Sequence, residues 1–270
     1  MGRLLLTGAT GRLGQALTPR LHAAGRNVVA ASRSPPSAHS SDEDWVTLDL
    51  ATDEGIEAAV ADANVVVHAA SAPTGDTEAV DVEGTRRLLD AASDAGVSNF
   101  VYPSIVGIED IPYSYYEAKL AAERAVVDSD VPHTVLRATQ FHEFVADTFE
   151  TLSWLPVWPL PTRMRLQPVA VGEVADALVA CATPDASGRV PPVAGPELRT
   201  VGELARAYRD AMGWRTPVVR LPLPGAVFGA FRAGEATRPD RSVGTVPFAE
   251  WLQREDGDPA TAAGTTGGPT

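Results

Sequence analysis

Seven residues, Gly8-Ala9-Thr10-Gly11-Arg12-Leu13-Gly14, constrain this chain more than any other segment. They fall between a short apolar run, Arg3-Leu4-Leu5-Leu6-Thr7, and a helix-like stretch over 15–24 that stops at Gly25. Glycines three apart at such a junction let the chain turn sharply, bring backbone close to a ligand and seat the helix against the strand. The helix then opens with free N–H groups and the positive end of its dipole, which suits a phosphate. Glycine spacing alone is a weak signal. Its position, closing the first strand and opening the first helix, points to a dinucleotide-binding βαβ unit.

The rest of the first half keeps the same rhythm. Strand-like runs at 27–32, 45–50, 64–70, 99–104 and 133–138 alternate with helical segments at 52–63, 78–95 and 115–128. Strands alternating with helices predict a parallel, doubly wound α/β sheet with helices on both faces. After about residue 140 the alternation breaks. A proline-aromatic loop, Trp154-Leu155-Pro156-Val157-Trp158-Pro159-Leu160-Pro161, precedes short strands at 166–170 and 189–193, helices at 172–182 and 201–212, and a strand at 217–221. These predict one domain over 1–254 with a small C-terminal substrate lobe, about 141–254, woven onto the sheet. The polar stretch 34–44 reads as a loop. Residues 255–270, without apolar periodicity, read as a disordered tail.

Composition narrows the partners. With 22 basic and 35 acidic residues the formal charge is −13, so the surface repels phosphate backbones and no nucleic-acid partner is expected. The single cysteine, Cys181, cannot form an internal disulfide and reads as a small apolar residue near a helix end. The five histidines form no HxH or HxxxH pair, so no metal is expected. The N-terminal apolar run is too short for a signal peptide, and no run approaches the roughly 20 residues that span a bilayer. The expectation is a cytoplasmic protein, monomer or homodimer, acting on a small molecule.

The end of the second strand selects the dinucleotide. NAD enzymes place Asp or Glu there for the ribose hydroxyl. This chain ends Ala30-Ala31-Ser32-Arg33. Arg33, with Arg12 in the turn as a second cation, suits a 2′-phosphate, so NADP(H) is expected ahead of NAD(H). Asp49-Leu50 closes the third strand where an adenine edge would sit, and Asp49 serves equally well as a loop cap.

Ser104 ends the fifth strand, on the rim where α/β folds bind ligands. Eleven residues on, Tyr115 and Lys119 stand i, i+4 and share a helix face. A phenol with a pKa near ~10 is a poor catalyst at neutral pH, and an adjacent ammonium lowers that value. The phenol then serves as proton donor to a carbonyl oxygen that Ser104 also holds. Lys119 is the only lysine in a chain otherwise supplied with arginine, which marks it out. Tyr116 competes with Tyr115 for the phenol role. Gln140, Phe141 and His142, after the sixth strand, and Trp154, in the proline-aromatic loop, are the candidate substrate contacts.

These residues resemble the atypical short-chain dehydrogenase/reductases, in particular the NmrA-like NAD(P)-binding branch. The matching segments are 6–14, 67–71, 82–89 and, most specific, Ser104-Ile105-Val106-Gly107 followed by Tyr115-Tyr116-Glu117-Ala118-Lys119-Leu120-Ala121-Ala122-Glu123; 136–141 continues the match. His68-Ala69-Ala70-Ser71 stands where many members carry an asparagine-rich motif. The resemblance, good over about 3–180, implies a Rossmann-type sheet with Gly8, Thr10, Gly11, Arg12, Leu13, Gly14, Arg33, Asp49, Leu50, Ala69, Ala70, Ser71 and Lys119 around the cofactor. It also implies Ser104, Tyr115 and Lys119 as catalytic groups. The expected activity is hydride transfer from NAD(P)H to a small carbonyl or quinone-like acceptor. The alternatives are a non-catalytic NADP(H) sensor or assembly factor with a protein partner, or a nucleotide-sugar epimerase.

Overall fold

The structure, a computed structural model, describes residues 2–36 and 44–254. Most of the polar loop expected over 34–44, and all of the tail expected over 255–270, lie outside the described residues. In chain order, β1 (Arg3–Thr7), α1 (Arg12–Ala23), β2 (Asn27–Ser32), β3 (Asp44–Thr47), α2 (Ile56–Val60) and β4 (Ala63–His68) come first. A π-helical turn, Glu78–Glu83, runs into α3 (Gly84–Asp94); β5 (Asn99–Ile105), α4 (Ser114–Asp128) and β6 (His133–Ala138) follow. Next are α5 (His142–Glu150), β7 (Trp158–Leu160), β8 (Arg165–Leu166), α6 (Val171–Cys181) and β9 (Gly188–Arg189). The chain continues through β10 (Arg199–Thr200), α7 (Val201–Ala211), β11 (Val218–Arg220), α8 (Ala226–Ala233) and α9 (Phe248–Trp251).

The elements fall into two compact units. The first runs to Ala138 and also takes Val171–Pro192; the second comprises Thr139–Ala170 and the chain from Val193. The first unit is a Rossmann-type sheet in the order β3-β2-β1-β4-β5-β6-β9, with all neighbours parallel. Helix-to-strand returns set its geometry. Gly25, at φ 71°, lets the amide of Arg26 reach back to Leu21 O (3.0 Å), which closes α1 and sends the chain into β2.

Strand interiors explain the continuous apolar runs. Leu5 and Leu6 of β1 and Val66 and Val67 of β4 are fully buried, as central strands covered on both faces require. On one face Leu5, Val66, Phe100 and Tyr102 pack with Leu88 of α3 and Val126 of α4. On the other, α1 packs against α6, and Arg20 pairs with Asp176 (2.8 Å). Cys181 ends α6, half-buried.

Several elements differ from their sequence reading: the helix expected over 52–63 is only Ile56–Val60, the proline-aromatic loop contains β7, the strand expected over 166–170 is only Arg165–Leu166, and α5 and α8 have no counterpart in it. The third strand stops at Thr47, and the chain turns so that Leu48 and Leu50 still enter the core. The helix expected over 78–95 opens as a wider π turn, the kind of irregularity that re-aims a side chain. It carries Asp81, which matters below.

In the second unit Phe149, Trp158, Tyr208 and Trp214 form an aromatic cluster, with Trp158 fully buried and its indole N–H on Leu152 O (2.8 Å). Thr200 and Glu203 form a reciprocal capping box at the start of α7. Among the described residues no helix is long and apolar enough to cross a membrane.

Candidate active site

The glycine turn is packed as its composition demands. At Gly8 (φ 68°) an added Cβ would stand 2.6 Å from the Ala70 backbone; at Gly14 it would stand 2.2 Å from Gly8 O. The turn therefore lies directly against the end of β4, and α1 lies directly against the turn. The amide of Gly11 donates to Gly8 O (2.9 Å), and Gly11 then caps α1 with no side chain to accept from the first helical N–H groups. No acidic residue sits in that first turn. An anion therefore meets oriented N–H donors, a positive dipole end and the exposed Arg12, with Leu13 beside it. These residues fit a pyrophosphate.

Beside the turn, the Thr10 and Ser32 hydroxyls hydrogen-bond (3.2 Å), joining it to the end of β2, and Arg33 follows, exposed. Asp49 acts as a loop cap, its Oδ1 accepting from the amide of Ala51 (2.9 Å). Leu50 is buried in the core, and its carbonyl accepts from the Arg87 guanidinium.

His68, at the end of β4, locks the rim. Its Nδ1 pairs with Thr7 Oγ1 (2.7 Å) and its Nε2 with Thr85 Oγ1 (2.9 Å). Thr85 gives its own proton to Asp81 O (2.6 Å), so Nε2 must be the protonated nitrogen and Nδ1 the acceptor. Burial, then the charge of Lys119, lowers His68 to about 3, so the ring stays neutral.

Past Ala69 and Ala70 the chain reaches Ser71, whose hydroxyl donates to Asp81 Oδ1 (2.6 Å). Asp81 Oδ2 accepts from the amide of Ala72 (2.8 Å). The Tyr115 hydroxyl lies 3.0 Å from Ser71 Oγ. With the serine proton on Asp81, the phenol is the donor, so Tyr115, Ser71 and Asp81 form one directed chain. Burial raises the Tyr115 phenol to about 12, with the Asp81 charge adding to the rise. Lys119 does not offset it. Its ammonium sits 4.2 Å from the Tyr102 ring centroid and 3.4 Å from Pro103 O, and burial lowers it to about 8. Tyr116 is buried and packs edge-on against Tyr113.

Ser104 belongs to another cluster. Its hydroxyl donates to the Glu123 carboxylate, not to the oxygen that Tyr115 would serve. Glu123 is fully buried and also accepts from Arg137 Nη2 (2.7 Å) and Nε (3.0 Å) and pairs with Arg189 (2.8 Å). Burial alone would push this carboxyl up; the Arg137 and Ser104 hydrogen bonds outweigh it and hold it below its ordinary range. Asp81 and Glu123 were both missed by the sequence reading.

The candidate substrate contacts lie in the second unit and differ widely. The Gln140 side-chain amide is buried with no hydrogen-bond partner among the described residues, whereas the Gln140 main-chain carbonyl accepts from the amide of Val169 (2.9 Å). Phe141 caps α5, half-buried. His142 is fully buried, its Nε2 donating to Val246 O (2.8 Å) and its ring against Phe248 and Trp251. Trp154 is 77% exposed.

Residues 8–184 match the family described as NAD(P)H-binding. An uncharacterised protein of Mycobacterium tuberculosis is 33% identical over 102 residues, 38% of this chain; the chain spans only 12% of that relative's length. The 3-beta-hydroxysteroid dehydrogenase of Mycolicibacterium neoaurum is 31% identical over 158 residues, 47% of this chain and 43% of that protein. Among solved structures, the NADPH-dependent quinone oxidoreductase QOR2 of Escherichia coli, complexed with NADPH, matches at TM-score 0.79 and 18% identity. That match covers 93% of this chain and 98% of QOR2, and at such identity it is a likeness of fold.

Proposed function

Because the chain belongs to the NAD(P)H-binding family, we propose that it is an oxidoreductase of the short-chain dehydrogenase/reductase type, reducing a small carbonyl or quinone-like acceptor with NADPH. The observation that carries this reading is the continuity of one rim. Gly8 packs on Ala70, and the next residue, Ser71, is bonded to Tyr115. Phosphate-binding turn and proton donor thus adjoin.

In this reading the first-turn N–H groups of α1 hold the pyrophosphate, Arg33 and Arg12 face a 2′-phosphate, and Ala69 and Ala70 flank the dinucleotide. The reduced nicotinamide supplies hydride when bound. Tyr115, neutral at physiological pH, gives its proton to the acceptor oxygen as the acceptor carbon is reduced. Ser71 then turns its hydroxyl from Asp81 to the phenolate, while Asp81 still holds the segment through the amide of Ala72. Half-exposed Tyr115 recovers a proton from solvent. Lys119 keeps a positive charge below the site, which favours negative charge developing on the acceptor oxygen. Ser104 acts at a distance, through Glu123, on the shape of the β5 end.

A non-catalytic NADP(H) sensor is the second reading, and one observation favours it. Ser104 is bonded to Glu123 and Lys119 to Pro103, so the bonded partner of Tyr115 is Ser71 alone of these. A screen of NADPH oxidation with aldehydes, ketones and quinones separates the two. Turnover with any of them supports the reductase; saturable NADPH binding with no turnover supports the sensor. In the same titrations Arg33→Ala should weaken NADPH by about tenfold and leave NADH unchanged. Equal loss for both dinucleotides would remove Arg33 from phosphate recognition.

A further inference from the structure

We propose that the second unit carries a binding site of its own for an amphipathic organic anion, a carboxylate or phosphate head on an apolar body. A cleft of about 460 Å³ opens there, and three arginines from separate chain segments line it: Arg163 after β7, Arg220 at the end of β11 and Arg232 in α8. No aspartate or glutamate lines the cleft, although the chain carries a net charge of −13. No ion pair among the described residues engages any of the three. Three like charges kept together without a carboxylate repel one another unless an anion joins them.

The backbone holds the cationic wall in place. β11 pairs with β7 so that Arg220 stands opposite Leu160, and the amide of Leu221 donates to Leu160 O (2.8 Å). Arg232 Nη1 donates to Leu223 O (2.9 Å), which ties that guanidinium to another residue of the lining. Pro224, also in the lining, leads directly into Gly225, the cap of α8, and Gly225 brings no side-chain acceptor.

Apart from Thr162, the remaining wall is apolar. Met164, Leu221 and Leu223 line it together with prolines, and Leu221 is 40% exposed. Guanidinium forks match the planar oxygens of a carboxylate or phosphate, and the apolar wall takes up hydrocarbon. The proposal is independent of the redox reading, since it uses no residue assigned to the cofactor or to proton transfer.

The test is calorimetric titration of the full chain with decanoate, decyl phosphate and, as a neutral counterpart, decanol. Saturable binding of at least one anion at one site per chain is expected, with decanol at least tenfold weaker. The tighter of the two anions identifies the head group. The double variant Arg163→Ala/Arg220→Ala should weaken the anions by tenfold or more while NADPH affinity stays unchanged. The proposal is overturned by no saturable anion binding, by decanol binding as tightly as the anions, or by unchanged anion affinity in the double variant. Loss of NADPH affinity in that variant also overturns it, because the arginines would then serve the cofactor.

Discussion

Helix α4 carries a polar cluster near its start and another two turns further on, and the two are built on opposite principles. Near the start, the phenol of Tyr115 leans on Ser71, and Ser71 leans on Asp81, with no ion pair to that carboxylate among the described residues. Further along, Glu123 is saturated by Ser104, Arg137 and Arg189, and Arg137 reaches on to Glu109 (3.1 Å). Lys119 stands one helical turn from each. A carboxylate whose charge and lone pairs are fully matched has nothing left to offer a ligand, so it holds structure. A half-exposed phenol with one hydrogen bond can still give up a proton. The same helix thus separates chemistry from architecture by the completeness of the partner set.

The largest expected effect falls on the first cluster. Tyr115→Phe should lower turnover by roughly 10²–10⁴ while thermal stability and NADPH affinity stay unchanged. Tyr116→Phe, altering a buried neighbour, should leave turnover near wild type. A reversed result would move the phenol role to Tyr116 and break the contrast at its active side.

Glu123→Ala tests the other side. It leaves Arg137 and Arg189 facing an empty buried position and should reduce stability by about 3–5 kcal/mol in urea unfolding, with turnover per folded molecule little changed. A turnover loss as large as that of Tyr115→Phe would make the two clusters one machine. Because the folded Glu123 carboxyl sits below its ordinary value of 4.5, the stability it contributes is present above that pH. It is lost as the pH falls through the folded value.

Lys119 sharpens the boundary between them. Burial lowers it from 10.5 to about 8, so between those values the unfolded chain holds a proton that the folded protein has released. Stability therefore rises with pH across that window, and the buried charge weighs against folding below it. Lys119→Met should flatten this rise and add on the order of 3 kcal/mol at pH 7. A less stable variant would mean that Asp81 and Glu123 together compensate the ammonium. The smallest expected effect is that of Asp81→Asn. As a positioning change it should lower kcat by about tenfold, shift the pH profile of kcat and leave KM for NADPH alone.

The sheet was legible because its signals are local. Apolar runs, helix-stopping glycines and the 8–14 turn each lie within one element, and their alternation predicts a parallel sheet. The pairing of Tyr115 with Ser71 was not legible, since the two are 44 positions apart and meet only when β4 and α4 reach one rim. Nor were Asp81 and Glu123, whose partners are brought in by the sheet. The expected sign of the Tyr115 shift is a correction of a different kind. Helical spacing places Lys119 on the same face, but its ammonium turns to the Tyr102 ring and the Pro103 carbonyl, and burial of the phenol prevails. The same holds for Ser104, whose place on the rim was readable and whose partner was not.

Three times the chain passes from one unit to the other, after Ala138, Ala170 and Pro192. During synthesis the sheet must therefore wait for its last strand. When Ala138 has emerged, α1 lacks the helix that covers it and β6 is a bare edge, because α6 and β9 are still to be made. A nascent chain of that length exposes an unpaired strand edge, the kind of surface that aggregates or recruits a chaperone. For the same reason neither unit can be exchanged as a cassette by a single cut: any transplant of the second must leave the insertion Val171–Pro192 behind with the sheet.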